Sequence, residues 1–401
     1  MSCVPGFRHV FALVALAGST LPLPAGAQSQ TDTAPPHPVV IDPTATTMPS
    51  IDPLSEPADG TQRRTGTGIT PLVAPIPFHN SQIGWGLVLM AGLIHRFDAD
   101  TTIKPSTGAI AGMASENGSW GVFGIEVARF DHDAWRARGV GGYLDLRYDF
   151  YGIGIDAGHE GRTTPLDQQV TMAAGSLLRR VVTGLYLGAA VVWMQTTVTL
   201  RDSAGSSGPP ATPDLATTDL FAPGLQAEFD TRNDDYWPEH GTLAQLKGSF
   251  FTTALGGARD FQRYVAAWSW YGSLRGKQLI LATNVNACGA PGDAPFYGLC
   301  SIGAGRFALR GYTQGRYRDR YMTTVQAELR AHTTGRFGAT IFGGFGQVAS
   351  SAGDIFKAQA LPAGGLGLRY KLTRNYPMHL RFDYAWGRDG GLLYFSVAEA
   401  F

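Results

Sequence analysis

Alternation of apolar and polar residues recurs along this chain and limits what it can fold into. Residues 378–386 read Met-His-Leu-Arg-Phe-Asp-Tyr-Ala-Trp, and similar alternation recurs at 144–150, 225–230, 264–270 and 325–330. Successive side chains of a β-strand point to opposite faces, so most of these segments have an apolar face and a polar or charged one. A soluble sandwich would bury the apolar faces, whereas a transmembrane barrel turns them to lipid. Repeated charges are hard to place in a dry core, which favours the barrel.

The first 27 residues are predicted to be a secretory signal peptide. Arg8 and His9 precede an apolar run at 10–17, and Ala25-Gly26-Ala27 is a small-residue cleavage site. The alternative of a membrane anchor would need roughly 20 apolar residues. Residues 28–70 are rich in Pro, Thr, Asp and Ser, and we expect a disordered periplasmic leader there. Residues 71–401 are expected to form one barrel.

We predict a barrel of about sixteen antiparallel strands, with fourteen as the alternative. The predicted strands are 82–95, 107–115, 119–130, 137–150, 152–157, 168–178, 182–199, 220–230, 241–254, 260–273, 277–287, 318–332, 336–348, 361–372, 377–387 and 390–401. Segment 152–157 is the shortest; without it and one neighbour, the count stays even, as bacterial barrels require. The first and last strands should meet near Gly84–Gly86 and Gly390–Gly391. Asp145 and Asp149 are interpreted as lining the lumen.

Charge balance, the lack of catalytic motifs and the cysteine content limit the classes of protein to which this chain can belong. The chain has 32 basic and 32 acidic residues, whereas a nucleic-acid-binding protein would carry a basic excess. We find no nucleophile elbow, zinc-binding His-Glu-x-x-His or phosphate-binding glycine loop, so we expect neither an enzyme nor a bound cofactor or metal. Cys288 and Cys300 are predicted to form a disulfide in an oxidising compartment, with two free thiols as the alternative.

Three sequence motifs, at 309–312, 230–241 and 393–401, together resemble those of the bacterial surface antigen family, the barrel-assembly and two-partner-secretion superfamily that includes BamA and TamA. The first is similar to the family's Val/Leu-Arg-Gly-Phe/Tyr loop motif: Leu309, Arg310, Gly311 and Tyr312. The second resembles a family strand and turn through Asp230, Arg232, Pro238 and Gly241. The third resembles the family's terminal insertion signal, with apolar residues on one outward strand face: Leu393, Phe395, Val397 and Phe401.

The resemblance implies that Arg310 folds back into the lumen and pairs with Glu328, because a buried guanidinium needs a carboxylate. The family's second acid corresponds to Gly344 here, which weakens the latch by one carboxylate and leaves Arg310 with Glu328 or with another lumen acid such as Asp230 or Asp383. Gly344→Asp is therefore expected to be tolerated. The alternative is that Arg310 lies in water.

The resemblance also implies a role in outer-membrane biogenesis or in moving protein or lipid into or across the outer membrane. The leader is expected to be too short for the polypeptide-transport-associated domains of translocating members. The alternatives are a passive loop-gated pore and a structural surface antigen. Implied partners are outer-membrane lipid and lipopolysaccharide, the barrel-assembly machinery during insertion, and an unidentified client or periplasmic protein.

Overall fold

The computed structural model describes residues 70–97, 106–201, 215–234, 237–276, 278–303, 309–332, 335–371, 379–397 and 399–401. The predicted signal peptide and nearly all of the predicted leader lie outside these residues. Within them, sixteen antiparallel strands close into one barrel, which confirms the predicted all-β fold. In chain order, β1 to β16 are Thr70–Asn80, Gly84–His95, Ser106–Ser115, Trp120–Phe130, Trp135–Phe150, Thr164–Val182, Leu185–Leu200, Thr217–Asp230, Gly241–Phe251, Phe261–Ser273, Leu279–Gly289, Tyr321–His332, Phe337–Ala349, Leu361–Lys371, His379–Gly387 and Gly390–Val397.

The two ends of the barrel carry different connections. We call the loop end the one with the long connection 290–320 and the turns 81–83 and 388–389. The opposite end, which carries the turns 131–134 and 231–240, is called the turn end. A short helix, α1 (Ile155–Glu160), lies at the loop end. No helix among the described residues is long and apolar enough to cross a membrane.

The strand count agrees with the prediction although two individual elements were predicted wrongly. Strand β1 was not predicted, because Pro71, Pro75 and Pro77 lie within it and proline usually argues against a strand. Segment 152–157 is not a strand: its two glycines have positive φ, and the chain then enters α1. The missing strand and the additional one cancel in the count.

Apolar side chains cover much of the outer wall, as the alternation predicts. On β15, Phe382, Tyr384 and Trp386 are 42–48% exposed, whereas Asp383 and Ala385 between them are fully buried. Exposed apolar residues occur on many other strands, among them Leu89, Ile110, Val122, Leu187, Leu225, Leu246, Trp268, Ile341 and Leu368. This surface is suited to contact with lipid hydrocarbon.

The predicted orientation is wrong at 144–150 on β5, and the loop-end halves of β6 to β8 also turn apolar side chains inward. Leu146 and Tyr148 are fully buried inside the barrel, whereas Arg147 between them is exposed. Asp145 and Asp149 share the outer face with Arg147, so they do not line the lumen. Polar side chains pair across the outer face: Gln169 with Asp145 (3.5 Å), Gln195 with Asp219 (3.0 Å) and Thr197 with Thr217 (2.9 Å). These strands of 14 to 19 residues exceed the roughly 9–11 that span a membrane, so their ends project into water.

An apolar core closes the lumen at the loop end. Phe150 of β5 and Phe296 of the long connection pack with ring centroids 4.8 Å apart. The buried residues around them come from several strands: Leu144, Leu146, Tyr148, Leu166, Val170, Met172, Met194, Val198, Leu220, Phe251 and Phe261. In its described part, this half of the barrel is therefore packed with side chains and resembles the core of a soluble protein.

The seam, meaning the junction of β1 and β16, is held at few positions. The β1–β2 ladder runs without a break from Thr70 to Asn80, but the described seam has one paired position, His79 opposite Phe395. The His79 Nδ1 atom also lies 2.8 Å from the carbonyl oxygen of Leu393. Gly84–Gly86 lie on β2, so the predicted position of the seam on that side is wrong.

Three prolines explain the sparse pairing of the seam. Because the β1–β2 ladder is continuous through them, the amides of even-numbered β1 residues must serve β2, and odd-numbered residues face the seam. Pro71, Pro75 and Pro77 all occupy odd positions, and proline has no N–H to donate. Most of the seam-facing edge of β1 can therefore accept hydrogen bonds but cannot donate them.

Candidate functional site

The connection 290–320, which we call the lumen loop, folds into the barrel. Cys288 at the end of β11 and Cys300 in the loop, the predicted pair, form a disulfide with their Cα atoms 5.8 Å apart. Further along, the Arg263 guanidinium donates to the Gly298 carbonyl oxygen (2.9 Å) from inside the barrel. The base of the loop is therefore fixed to two strands.

The lumen loop also bridges the seam at the loop end. Gln82 in the β1–β2 turn donates to the main-chain oxygen of Gln314. On the other side of the seam, the Tyr317 hydroxyl donates to the Asp389 carboxylate (2.9 Å) in the β15–β16 turn. Burial and this hydrogen bond raise the pKa of Tyr317, so its hydroxyl keeps the proton that it donates. The loop thus joins the two turns that flank the seam.

Leu309 and Tyr312 of the loop motif fix its position by packing. Both are 1% exposed and lie in an apolar cluster with Val348 and Leu361. The Tyr312 hydroxyl donates to the Pro362 carbonyl oxygen (2.6 Å) on β14.

Gly311 requires the absence of a side chain. Its φ is +103°, and a Cβ there would lie 2.9 Å from the main chain of Trp386. Its amide donates to the Tyr394 hydroxyl of β16 (2.9 Å). The motif therefore touches both of the last two strands.

Arg310 points into the lumen and is 3% exposed. One guanidinium nitrogen lies 2.5 Å from Glu328 Oε2, and the other lies 2.5 Å from Asp383 Oδ2. The guanidinium carbon also lies 3.4 Å from the centroid of the Phe342 ring. Such a site holds a buried charge with two opposite charges and an aromatic face.

Arg310 belongs to a larger cluster, which we call the luminal ion network. Its described members are Arg310, Arg330, Arg369, Arg381, Glu328, Asp383 and Glu399. Glu328 is its centre, because Arg330 (2.9 Å) and Arg369 (3.3 Å) approach it as well as Arg310. Among these described residues, four guanidinium groups face three side-chain carboxylates, and Arg330 also donates to the main-chain oxygen of Phe401 (3.1 Å).

Asp383, not a residue of β13, provides the second carboxylate. Gly344 lies where the family resemblance placed an acid, but a Cβ there would be 2.1 Å from the main-chain oxygen of Val325. The structure contradicts the expectation that Gly344→Asp is tolerated. Asp230, the other candidate, binds Arg232 (2.9 Å) in the β8–β9 turn.

The predicted turn motif shapes the turn end of the barrel. Asp230 accepts hydrogen bonds from Arg232, and Gly241 has φ +106° with no room for a Cβ beside Thr231. Pro238 is buried next to Trp237, which is 5% exposed. Trp237 lies with its ring centroid 4.4 Å from that of His379 and 5.7 Å from the Arg330 guanidinium. The turn therefore contacts the luminal ion network.

The last three residues of the sequence, which we call the tail, lie inside the barrel. Phe401 is 1% exposed and packs with Leu243, Tyr271 and Ala282. The expectation that it shares an outward face with Phe395 is wrong. Phe395 does face outward, beside Phe382 at 4.5 Å, and β16 ends at Val397. A role of Phe395, Val397 and Phe401 as an insertion signal stays a prediction.

Sequence reasoning did not single out Arg330, Arg369 or Glu399 as site residues. Arg330 could have been found, because it shares the inward strand face with Glu328 two positions earlier. Nothing in the sequence places Glu399 beside Arg369, since that contact depends on the tail turning inward. Among the described residues, no group of three or more His, Cys, Asp or Glu residues is arranged to hold a metal ion.

Comparisons with known proteins agree with this architecture. Residues 137–401 match the Omp85 superfamily domain, and a search of curated protein sequences found no match. The fold is similar to BamA from Haemophilus ducreyi lacking POTRA domains 1–3, with 16% identity, a TM-score of 0.56, and coverage of 82% of this chain and 70% of that chain. It is also similar to CdiB from Acinetobacter baumannii, with 13% identity and a TM-score of 0.54, and to CdiB from Escherichia coli, with 11% identity and a TM-score of 0.56. In both cases 82% of this chain is covered. The chain spans 59% and 62% of the length of these two proteins, which is less than two thirds.

Proposed function

Because the chain belongs to the Omp85 superfamily, we propose that it acts in outer-membrane assembly or in moving protein or lipid into that membrane. In this proposal the barrel works by parting its seam. Its loop end faces the outside of the cell and its turn end faces the periplasm, to which an N-terminal signal peptide exports the chain. No catalytic step is part of the proposal.

The sparse pairing of the seam carries this proposal. Neighbouring strands elsewhere pair over long stretches, as β5 and β6 do from Trp135 to Phe150. The described seam has the His79–Phe395 pair and the imidazole contact to Leu393. Parting it would break few backbone hydrogen bonds, and each exposed edge could then pair with another strand.

The filled lumen argues against the alternative of a passive pore. At the loop end, the apolar core packs around Phe296, and the motif residues of the lumen loop are buried. At the turn end, Trp237 and the tail occupy the interior. Ions could cross the barrel only if this packing rearranged, which favours a barrel that is closed at rest and opens during its function. A purely structural surface antigen would not need a seam with so few backbone hydrogen bonds.

Partners follow from this placement. Outer-membrane lipid and lipopolysaccharide would surround the apolar wall, and the barrel-assembly machinery would insert the chain. A client strand, or a periplasmic protein that delivers it, would reach the seam. The residues that would respond to it first are those of the lumen loop that join both flanking turns, Gln314 and Tyr317.

A disulfide across the seam tests the proposal. His79 and Phe395 are opposed, and such pairs have Cα atoms about 4.5–5.5 Å apart, within the range for a disulfide. The variant His79→Cys/Phe395→Cys should close the seam under oxidation and release it under reduction. The matched control is Leu87→Cys/Ala114→Cys, an outward pair of the ordinary β2–β3 ladder.

Both variants would replace the natural chain in its host, and the protein and lipid composition of the outer membrane would be measured. We expect the oxidised seam variant to reproduce the effect of depleting the protein, reductant to reverse it, and the control pair to change nothing. An oxidised seam variant that maintains normal composition would refute the seam mechanism. A steady open conductance of the purified barrel in a planar bilayer would favour the pore.

A further inference from the structure

The tail leaves the barrel wall at the point where the seam loses its donors. Extending the His79–Phe395 register places Pro77 opposite Val397 and Pro75 opposite Glu399. Neither proline has an N–H, so β1 offers no backbone donor at these two positions. The tail turns into the lumen instead, and all three of its residues are at most 8% exposed.

The lumen receives the tail through three separate contacts. The Glu399 carboxylate accepts a hydrogen bond from Arg369 Nε (2.8 Å). Arg330 Nη2 donates to the main-chain oxygen of Phe401 (3.1 Å), and its guanidinium lies 5.5 Å from the Phe401 ring centroid. The ring itself packs on Leu243, Ala267, Tyr271 and Ala282. Both arginines are fully buried, so this is a built site with an acid position and an aromatic pocket.

We propose that the turn-end half of the lumen is a peptide-binding site, which takes an acidic residue two positions before an aromatic one. Residues 399–401 are its resident ligand, and another polypeptide with the same ending can occupy it when the tail is absent or displaced. The site goes beyond the proposed role in membrane assembly and does not depend on it.

The arrangement of the two arginines allows the tail to be exchanged for another peptide. Arg369 also contacts Asp383 (2.6 Å) and Glu328 (3.3 Å), and Arg330 also contacts Glu328 (2.9 Å). When Glu399 departs, neither arginine is left without a carboxylate, so the large cost of an unpaired buried charge is avoided. The same sharing links the site to Arg310, which binds the other oxygen of Glu328.

Binding of a short peptide tests the site directly. The probe is a dye-labelled tetrapeptide with the sequence of residues 398–401, Ala-Glu-Ala-Phe, added to purified barrel in detergent micelles. The receptor is a variant lacking residues 399–401, checked for a closed barrel by heat-modifiable gel migration. Two control probes carry Gln in place of the acid or Ala in place of the final Phe, and the full chain serves as the occupied receptor.

We expect saturable binding of the probe to the shortened barrel. The Gln probe should bind about tenfold or more weakly, the change expected when one charge-assisted hydrogen bond is lost. The full chain should also bind the probe at least tenfold more weakly, since its own tail competes. Equal binding to both receptors, or binding that ignores the acid, would overturn the proposal. Absence of binding to a correctly closed shortened barrel would overturn it as well.

A labelling experiment keeps the proposal testable if the shortened chain does not fold. A single thiol at Ala400→Cys is exposed to a membrane-impermeant maleimide, with Arg275→Cys in the exposed turn-end connection as the accessible control. We expect slow labelling of position 400, faster labelling after Glu399→Gln, and acceleration by the Ala-Glu-Ala-Phe probe. Labelling of position 400 as fast as position 275 in the otherwise unchanged chain would refute the resident ligand. Labelling that neither change accelerates would refute exchange.

Discussion

Removing the central carboxylate of the luminal ion network should destabilise the barrel more than removing the loop arginine that binds it. Glu328→Gln keeps the shape of the side chain but takes from Arg330 its carboxylate partner at 2.9 Å, leaving Glu399 at 4.0 Å, whereas Arg310 and Arg369 keep Asp383. Breaking a buried pair in this way costs about 3–5 kcal/mol, because an uncompensated charge remains.

Arg310→Met should cost less, although it removes two short hydrogen bonds. Glu328 keeps Arg330 and Arg369, and Asp383 keeps Arg369 (2.6 Å) and Arg381 (3.5 Å). Neither carboxylate is left without an arginine, so the expected cost is about 1.5–3 kcal/mol, that of hydrogen bonds to charged groups. The sign of the coupling between the two substitutions follows, because in the double variant the loss of Arg310 removes one of the guanidinium groups that repel each other once Glu328 is gone, and frees Asp383 for Arg369 and Arg381.

The free energy of unfolding would be measured by urea titration of the folded barrel in lipid vesicles, followed by tryptophan fluorescence and heat-modifiable migration. We expect the double variant Arg310→Met/Glu328→Gln to be more stable than Glu328→Gln alone. Simple addition of the two single costs, giving a double variant less stable than either single, would refute the charge argument. The control is Thr340→Val, at another buried lumen position, which tests the loss of a polar group without a change of charge.

Further outcomes can be checked with the same gel and proteolysis assays. Gly344→Asp should reduce the yield of folded barrel because its Cβ meets a neighbouring main chain, whereas Gly343→Ala, with 3.6 Å to its nearest atom, should fold normally. Cys288→Ser should increase cleavage of the lumen loop by external protease, since it removes a cross-link worth on the order of 3 kcal/mol; unchanged cleavage would contradict this. Phe401→Ala should lower the amount in the outer membrane and destabilise what is inserted by about 3–5 kcal/mol, as for other buried aromatic truncations; a normal amount of equally stable barrel would count against both roles. Tyr394→Phe should loosen the lumen loop, because the Gly311 amide loses its acceptor, and protease resistance equal to that of the natural chain would exclude this contact as an anchor.

Strand alternation was sufficient to predict the barrel but not which face of each strand points inward. Around Phe382 and Tyr384 the apolar face meets lipid, as predicted. Around Leu146 and Tyr148 the same alternation has the opposite meaning, because those strand ends project beyond the apolar band. A period of two identifies two faces, and only the height of the residue relative to the membrane decides between them.

Rules based on neighbouring residues in the sequence also account for the missed strand β1 and for the missed residues of the site. The prolines of β1 disfavour an ordinary ladder, but a strand at a seam needs full pairing on one side only. The contact of Arg310 with Glu328 was expected from the family motif. The contacts of Arg369 with Asp383 and Glu399 join residues 14 and 30 positions apart, and the second depends on a tail conformation that strand periodicity does not describe.

The shortage of hydrogen-bond donors on the seam-facing edge of β1 has a consequence for how such barrels coexist in a membrane. Unpaired strand edges usually promote association between neighbouring molecules. Two β1 edges brought together cannot form a continuous ladder, because Pro71, Pro75 and Pro77 supply no donors on either side. The tail, which would lengthen the opposing edge, is withdrawn into the lumen. Two parted barrels can therefore lie side by side without forming a continuous β1–β1 ladder.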